Sequence, residues 1–217
     1  MPARAAFFDV DKTLVRVNTG RLYMRWRRRR GEVGLRQTAR FGRWLLWYSL
    51  GVLDAEDVTR KALESLEGFD EGIFREQLRS WYVEWVRPLV AEAGRAEVAR
   101  RRAEGLVPVI LSASTPYAIG PLAEELGIEH VLCSHLEVRD GRFTGRCSEL
   151  CYGPAKLEIA RRWAADTGVS LQASAFYTDS VSDRAMLEAV AEPRVVNPDL
   201  RLARLARRRG WPVAQWR

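Results

Sequence analysis

The feature that most constrains this chain is a short run near its start, Ala5-Ala-Phe-Phe-Asp-Val10, apolar except for one carboxylate and followed at once by Asp11. A strand that is apolar on both faces belongs inside a parallel sheet covered by helices on each side. Two further runs have the same character, Val107-Pro-Val-Ile-Leu111 and Ser174-Ala-Phe-Tyr-Thr178. Helical spacing is predicted over 95–104, 116–126, 156–167 and 183–190. Short strands at 194–196 and 212–214 close the pattern, with a basic helix between them. Helices alternating with apolar strands define an α/β fold with a mostly parallel, Rossmann-like sheet.

The alternation is interrupted once. From about residue 16 to residue 90 the periodicity is helical, over 21–30, 35–50, 55–66 and 70–86. Asp54 and Asp70 are candidate N-caps, and Gly31, Gly51 and Gly68 candidate breaks. No strand is predicted in this block. The expected organisation is therefore a core from 1–15 and 91–217, with an all-helical cap, 16–90, inserted after the first strand. Within the core, Asp140-Gly141 between extended runs at 131–138 and 142–147 predicts a hairpin.

Charge narrows the partners. The chain carries 35 Lys+Arg against 28 Asp+Glu, a formal net charge of +7. A positive field favours anionic partners such as phosphorylated metabolites or an acidic membrane face. Arg25-Trp-Arg-Arg-Arg-Arg30 and the Arg/Trp-rich stretch over 40–47 place much of this charge on the cap. The simplest account is a solvated arginine face over packed tryptophans, with peripheral membrane contact as the functional alternative and no specific nucleic acid expected. Cys133, Cys147 and Cys151 fit no disulfide framework, and His130, Cys133 and His135 alternate faces on an extended segment, which disfavours a soft-metal site. Reduced thiols and a cytoplasmic setting are expected. The most apolar window, 44–53, is too short to span a bilayer.

Open parallel sheets place their sites at the carboxyl ends of strands. At those ends stand Asp9-Val-Asp11-Lys-Thr13, Ser112-Ala113-Ser114 and Asp179-Ser-Val-Ser-Asp183, while Lys156 opens a helix after Gly153-Pro154. Crowded carboxylates repel unless a cation neutralises them, and oxygen-only ligands select a hard ion such as Mg²⁺. An aspartate attacking phosphorus forms an aspartyl-phosphate. A second aspartate two residues on lies on the same side of an extended chain, suited to protonating the leaving alcohol. A lysine, a hydroxyl and the donors of a helix start can hold the phosphoryl oxygens. Each segment alone has an ordinary explanation as a turn, a cap or a solvated residue; together, each at a predicted strand end or helix start, they describe one reaction.

With these residues assembled, the sequence resembles the haloacid dehalogenase superfamily, in its phosphoserine-phosphatase-like branch. The resemblance rests on Phe8-Asp9-Val-Asp11-Lys-Thr13-Leu14, Leu111-Ser112-Ala-Ser114, Lys156 and Tyr177-Thr-Asp179-Ser-Val-Ser-Asp183. It implies Asp9 as nucleophile and Asp11 as general acid and later base. It implies Mg²⁺ held by the Asp9 carboxylate, the Asp11 backbone carbonyl and Asp179, with Asp183 in support. Thr13, Ser112, Ala113 and Lys156 would bind the phosphoryl group. The implied substrate is a small phosphorylated metabolite or a lipid-like phosphate ester. Phosphoserine phosphatases carry a glutamate for the substrate ammonium soon after the first motif. Here the matching position is Asn18, with Arg16 and Arg21 nearby, which disfavours phosphoserine. A phosphotransferase would share every one of these residues, and a non-catalytic anion or membrane-surface binder would share the fold.

Overall fold

The computed structural model describes residues 3–32, 34 and 66–216; the helix expected over 35–50, all but the last residue of that expected over 55–66, and the apolar window lie outside them. Numbering the described elements in chain order, the core sheet contains β1 (Arg4–Phe8), β2 (Leu106–Ser112), β3 (His130–Cys133), β6 (Ala175–Thr178), β7 (Glu192–Val196) and β8 (Val213–Ala214). They run in the order β3-β2-β1-β6-β7-β8, all parallel, with Phe8 opposite Ile110 on one side and Tyr177 on the other. β1 lies between β2 and β6, where chain order reverses direction across the sheet, and that is where such sheets open a crevice.

The apolar runs follow from this position. Ala6 and Phe8 enter one core with Val98 of α3 (Glu92–Ala103) and with Ile119 and Leu122 of α4 (Pro116–Leu126). Ala5 and Phe7 enter the other with Leu157 and Ala160 of α5 (Pro154–Thr167), Met186 of α6 (Arg184–Ala189) and Leu202 of α7 (Leu200–Arg209). Phe7 and Phe8 are fully buried. Each such side chain contributes about 1.5–3 kcal/mol by leaving water. Phe8 stacks on Tyr177 with ring centroids 4.6 Å apart, which fixes the end of β1 against β6.

The chain leaves the sheet after β1 and returns beside its own point of exit. Val15 bridges Val90, Arg16 N–H donates to Leu89 O (2.9 Å), and Ala91 N–H donates to Leu14 O (2.8 Å). Between these points lie α1 (Thr19–Arg29), α2 (Glu71–Trp81), a π-helical turn (Tyr82–Val86) and a 3₁₀ turn (Arg87–Leu89). Asp70 caps α2 by accepting from Ile73 N–H (3.0 Å), as its position in the sequence predicts. α1 is amphipathic, with Leu22 and Trp26 buried. Its arginines stay at the surface: Arg30 lies 4.7 Å from the Trp26 ring centroid and Arg29 lies 4.8 Å from that of Trp85. That is the arrangement of a solvated arginine face over packed aromatics.

Two expectations need correction. The run over 131–138 is two strands, not one. β3 joins the core sheet, and a break at Ser134 sends β4 (His135–Arg139) into a separate antiparallel hairpin with β5 (Arg142–Glu149). The inserted block is also not wholly free of extended pairing. Phe143 N–H donates to Phe69 O (3.0 Å), Gly68 N–H donates to Phe143 O (2.8 Å), and Asp70 bridges Arg142. The hairpin therefore recruits residues 68–70 as a short third edge. A two-stranded ribbon alone is marginal, which accounts for this recruitment.

Candidate active site

β1 ends at Phe8 and the chain turns immediately. Asp9 N–H donates to Tyr177 O (2.9 Å), then Thr13 and Val15 N–H groups both donate to Val10 O (3.2 and 2.9 Å). Lys12 takes a left-handed backbone (φ 53°), which costs a non-glycine residue about 1–3 kcal/mol. Asn197, itself at φ 43°, holds it there, its Nδ2 donating to Lys12 O (2.7 Å). α3 lies close against this turn because Gly94 has no side chain. A Cβ there would sit 3.2 Å from Leu14 Cδ2 and 3.3 Å from the Trp216 ring.

The turn presents Asp9 to a buried ammonium. Lys156 Nζ lies 2.8 Å from Asp9 Oδ1 and 2.8 Å from Asp183 Oδ2, and all three side chains are nearly inaccessible. Lys156 reaches this point from the first turn of α5. The preceding Gly153, at φ 54° and ψ −127°, occupies a region that only glycine enters freely. Burial works against the Lys156 charge, but Asp183 and Asp9 outweigh it and hold the ammonium protonated. Asp183 also accepts from Thr178 Oγ1 (2.7 Å). Among the described residues nothing donates to Asp9 Oδ2, so one oxygen is anchored and the other is open.

Asp11 is held differently. Its Oδ1 accepts from Thr19 N–H (2.9 Å) and Thr19 Oγ1 (2.6 Å), and its Oδ2 accepts from Asn18 Nδ2 (2.5 Å). Burial raises its pKa while the two Thr19 hydrogen bonds oppose the rise. Both ends of the Asn18 amide are engaged, because its Oδ1 also caps α1 by accepting from Arg21 N–H (2.9 Å). The residue matched to a substrate-binding glutamate thus ties the start of α1 to Asp11. Thr19 was not singled out in the sequence; the signal available was only its place beside an N-cap.

Asp179 completes the rim. Its Oδ2 lies 3.3 Å from Lys12 Nζ, and its carbonyl accepts from Asp199 N–H (2.9 Å). The Asp199 carboxylate accepts from Val181 N–H (3.2 Å), closing the 179–183 loop from behind. Neither Lys12 nor Asp199 was expected to contribute. Ser112 ends the strand beside β1, buried, with Ala113 exposed next to it. Thr13 is wholly buried and its hydroxyl has no partner among the described residues. It presents no open surface, so the expected phosphate contact is not available to its side chain. Two surface grooves of about 420 and 570 Å³ include none of these residues.

The electrostatics ask for a cation. Burial, together with Asp183 and Asp179, pushes Asp9 up to about 7 against the opposing pull of Lys156. Burial likewise pushes Asp179 up to about 6 in spite of Lys12, with Asp11 and Asp183 adding repulsion. No hydrogen bond reaches the Asp11 carbonyl among the described residues. The donors are all oxygen. Among the described residues no group of three or more His, Cys, Asp or Glu side chains is placed to hold a metal ion. An ion that takes one or two carboxylates and keeps its waters fits such a set, as Mg²⁺ does.

A parallel sheet carrying a buried Asp–Lys–Asp cluster at its crevice, with a helical excursion after the first strand, defines a hydrolase-type α/β protein. The chain belongs to the haloacid dehalogenase-like hydrolase family, whose profile matches residues 6–188. It is 32% identical to a phosphoserine phosphatase of Mycobacterium tuberculosis, over 98% of this chain and 71% of that protein. It is 28% identical to a histidinol-phosphatase of Neisseria meningitidis, over 98% of each. A crystal structure of a protein of unknown function from Bordetella pertussis superposes with a TM-score of 0.89 at 28% identity, covering 98% of each chain.

Proposed function

We propose that this protein is a Mg²⁺-dependent phosphatase that hydrolyses a small phosphomonoester through an aspartyl-phosphate on Asp9. The observation that carries the reading is the Lys156 ammonium, buried and shared between Asp9 and Asp183 at 2.8 Å each. An ammonium at that point opposes the burial that disfavours the Asp9 charge, anchors one Asp9 oxygen, and offers its third proton to a phosphoryl oxygen. Asp9 and Asp179 carboxylates with the Asp11 carbonyl would hold Mg²⁺, which neutralises charge on the phosphoryl group when bound. Ser112 and the Ala113 N–H would bind the remaining oxygens. Asp11 would deliver a proton to the leaving alcohol and later take one from water. Residues 16–90 would form the cap over the crevice. Relatives of similar identity bear the names of phosphatases for different esters. Hydrolysis of a panel of phosphate esters, with and without Mg²⁺, tests the reading; no Mg²⁺-dependent phosphate release from any of them would refute it.

Two further results are expected. Mg²⁺ competes with protons for Asp9 and Asp179. Their folded pKa values lie above the ordinary carboxylate value, so the stability their neutral forms contribute is lost as pH rises through about 6 and about 7. Mg²⁺ should therefore raise Tm more at pH 8 than at pH 5.5, measured by calorimetry; an equal increment at both would exclude these ligands. Thr19→Val keeps side-chain shape but removes one donor to Asp11. It should lower kcat about tenfold for an alkyl phosphate, whose leaving group needs a proton, and much less for p-nitrophenyl phosphate, whose leaving group does not. Equal losses on both would remove Asp11 from the acid role.

A further inference from the structure

Ser134 belongs to none of the four motif segments, yet it is 2% exposed and bonded to two of the loops that line the site. Its Oγ donates to the Ala113 carbonyl (2.8 Å) and accepts from Cys151 N–H (3.0 Å). Its own N–H donates to the Ser114 carbonyl (2.9 Å). In a trans peptide the C=O and N–H point in opposite directions, and the described residues contain no cis peptide. Gripping the Ala113 carbonyl therefore turns the Ser114 N–H the other way, where it donates to Ser112 Oγ (3.2 Å). A serine hydroxyl has one proton to give. With Ser114 N–H supplying a donor to Ser112 Oγ, and no acceptor for the Ser112 proton among the described residues, that proton is left for a ligand. The Ala113 N–H likewise has no partner among them.

We propose that Ser134 is a positioning residue for the phosphoryl group. It locks the Ala113–Ser114 peptide in the orientation that keeps the Ser112 O–H as a donor beside the Ala113 N–H. Through Cys151 it ties that loop to the segment leading into Gly153 and α5, so that the Ser112 and Lys156 halves of the cradle keep a fixed spacing. Released from Ser134, the peptide can rotate and bring the Ala113 carbonyl toward Ser112 Oγ, where it would accept the proton otherwise left for the anion. The inference rests on the phosphatase reading above.

The test compares wild type with Ser134→Ala for two constants, KM for p-nitrophenyl phosphate and the inhibition constant of inorganic phosphate. Both are expected to rise about tenfold, the loss of about one well-placed hydrogen bond to an anion. A purely structural role would lower kcat with the fraction of folded enzyme and leave both constants unmoved. A cooperatively melting Ser134→Ala protein with wild-type values for both overturns the proposal. If that variant does not melt cooperatively, Ser134→Cys, with its weaker S–H donor, is measured instead; raised constants support the proposal and unchanged ones overturn it. A wild-type protein no more active than Asp9→Asn refutes the phosphatase reading itself, a result distinct from an active wild type whose Ser134 variants bind phosphate normally.

Discussion

Asp9→Asn should lose at least about 1,000-fold in kcat on every phosphate ester that the wild type hydrolyses, while folding normally. The amide keeps the shape of the carboxylate and can still accept from Lys156, so packing at the end of β1 is undisturbed. What it removes is the proposed nucleophile. The substitution also relieves repulsion, because Asp9 is pushed up to about 7 by burial and by the nearby Asp183 and Asp179 carboxylates. The Tm of the metal-free variant at pH 8 should therefore not fall below that of wild type. Activity within tenfold of wild type would remove Asp9 from the chemistry. A large fall in Tm would mean instead that the Asp9 charge is needed for folding.

Lys156→Met should be damaging in both respects. It removes the cation between Asp9 and Asp183 and leaves two carboxylates facing each other in a site that water hardly reaches. Breaking a buried ion pair from one side costs about 3–5 kcal/mol. The sign with pH is specific. Without Lys156 the main influence lowering the Asp9 pKa is gone, so the folded state takes up a proton that the unfolded chain releases near its ordinary value. The destabilisation should be small at pH 5, where that proton is bound, and grow as pH rises to 8. Urea titrations at the two pH values measure this directly. A pH-independent loss would show that Lys156 acts through packing alone.

Much of this site was legible in the residues alone, and the reason is geometric. A strand apolar on both faces must lie inside a parallel sheet, and the residues just beyond its carboxyl end must lie at the rim. Asp9, Ser112 and Asp179 were found that way, and Lys156 by its place at a helix start. Contacts that join distant segments through a single polar group carry no such periodic signal. Ser134 reads as one more residue of an extended run, although it lies at the break between β3 and the hairpin and holds the Ala113 carbonyl. Asp199 caps α7 and also accepts from Val181 N–H, a contact that no periodicity signals. Asn18 shows the converse difficulty. Its position invites a substrate-facing role, while both ends of its amide are already engaged, one by the start of α1 and one by Asp11. The split at residue 134 was hidden because alternation shows which faces a strand presents, not which sheet it joins.

The proposed mechanism requires a covalent bond between Asp9 and phosphorus. The direct measurement is acid quenching during turnover of a ³²P-labelled ester, followed by treatment with hydroxylamine and mapping of the labelled peptide. Label is expected to survive acid, to be released by hydroxylamine as an acyl phosphate is, and to lie on the peptide containing Asp9. Turnover at full rate with no label on the protein, or with label on a different peptide, would contradict that mechanism.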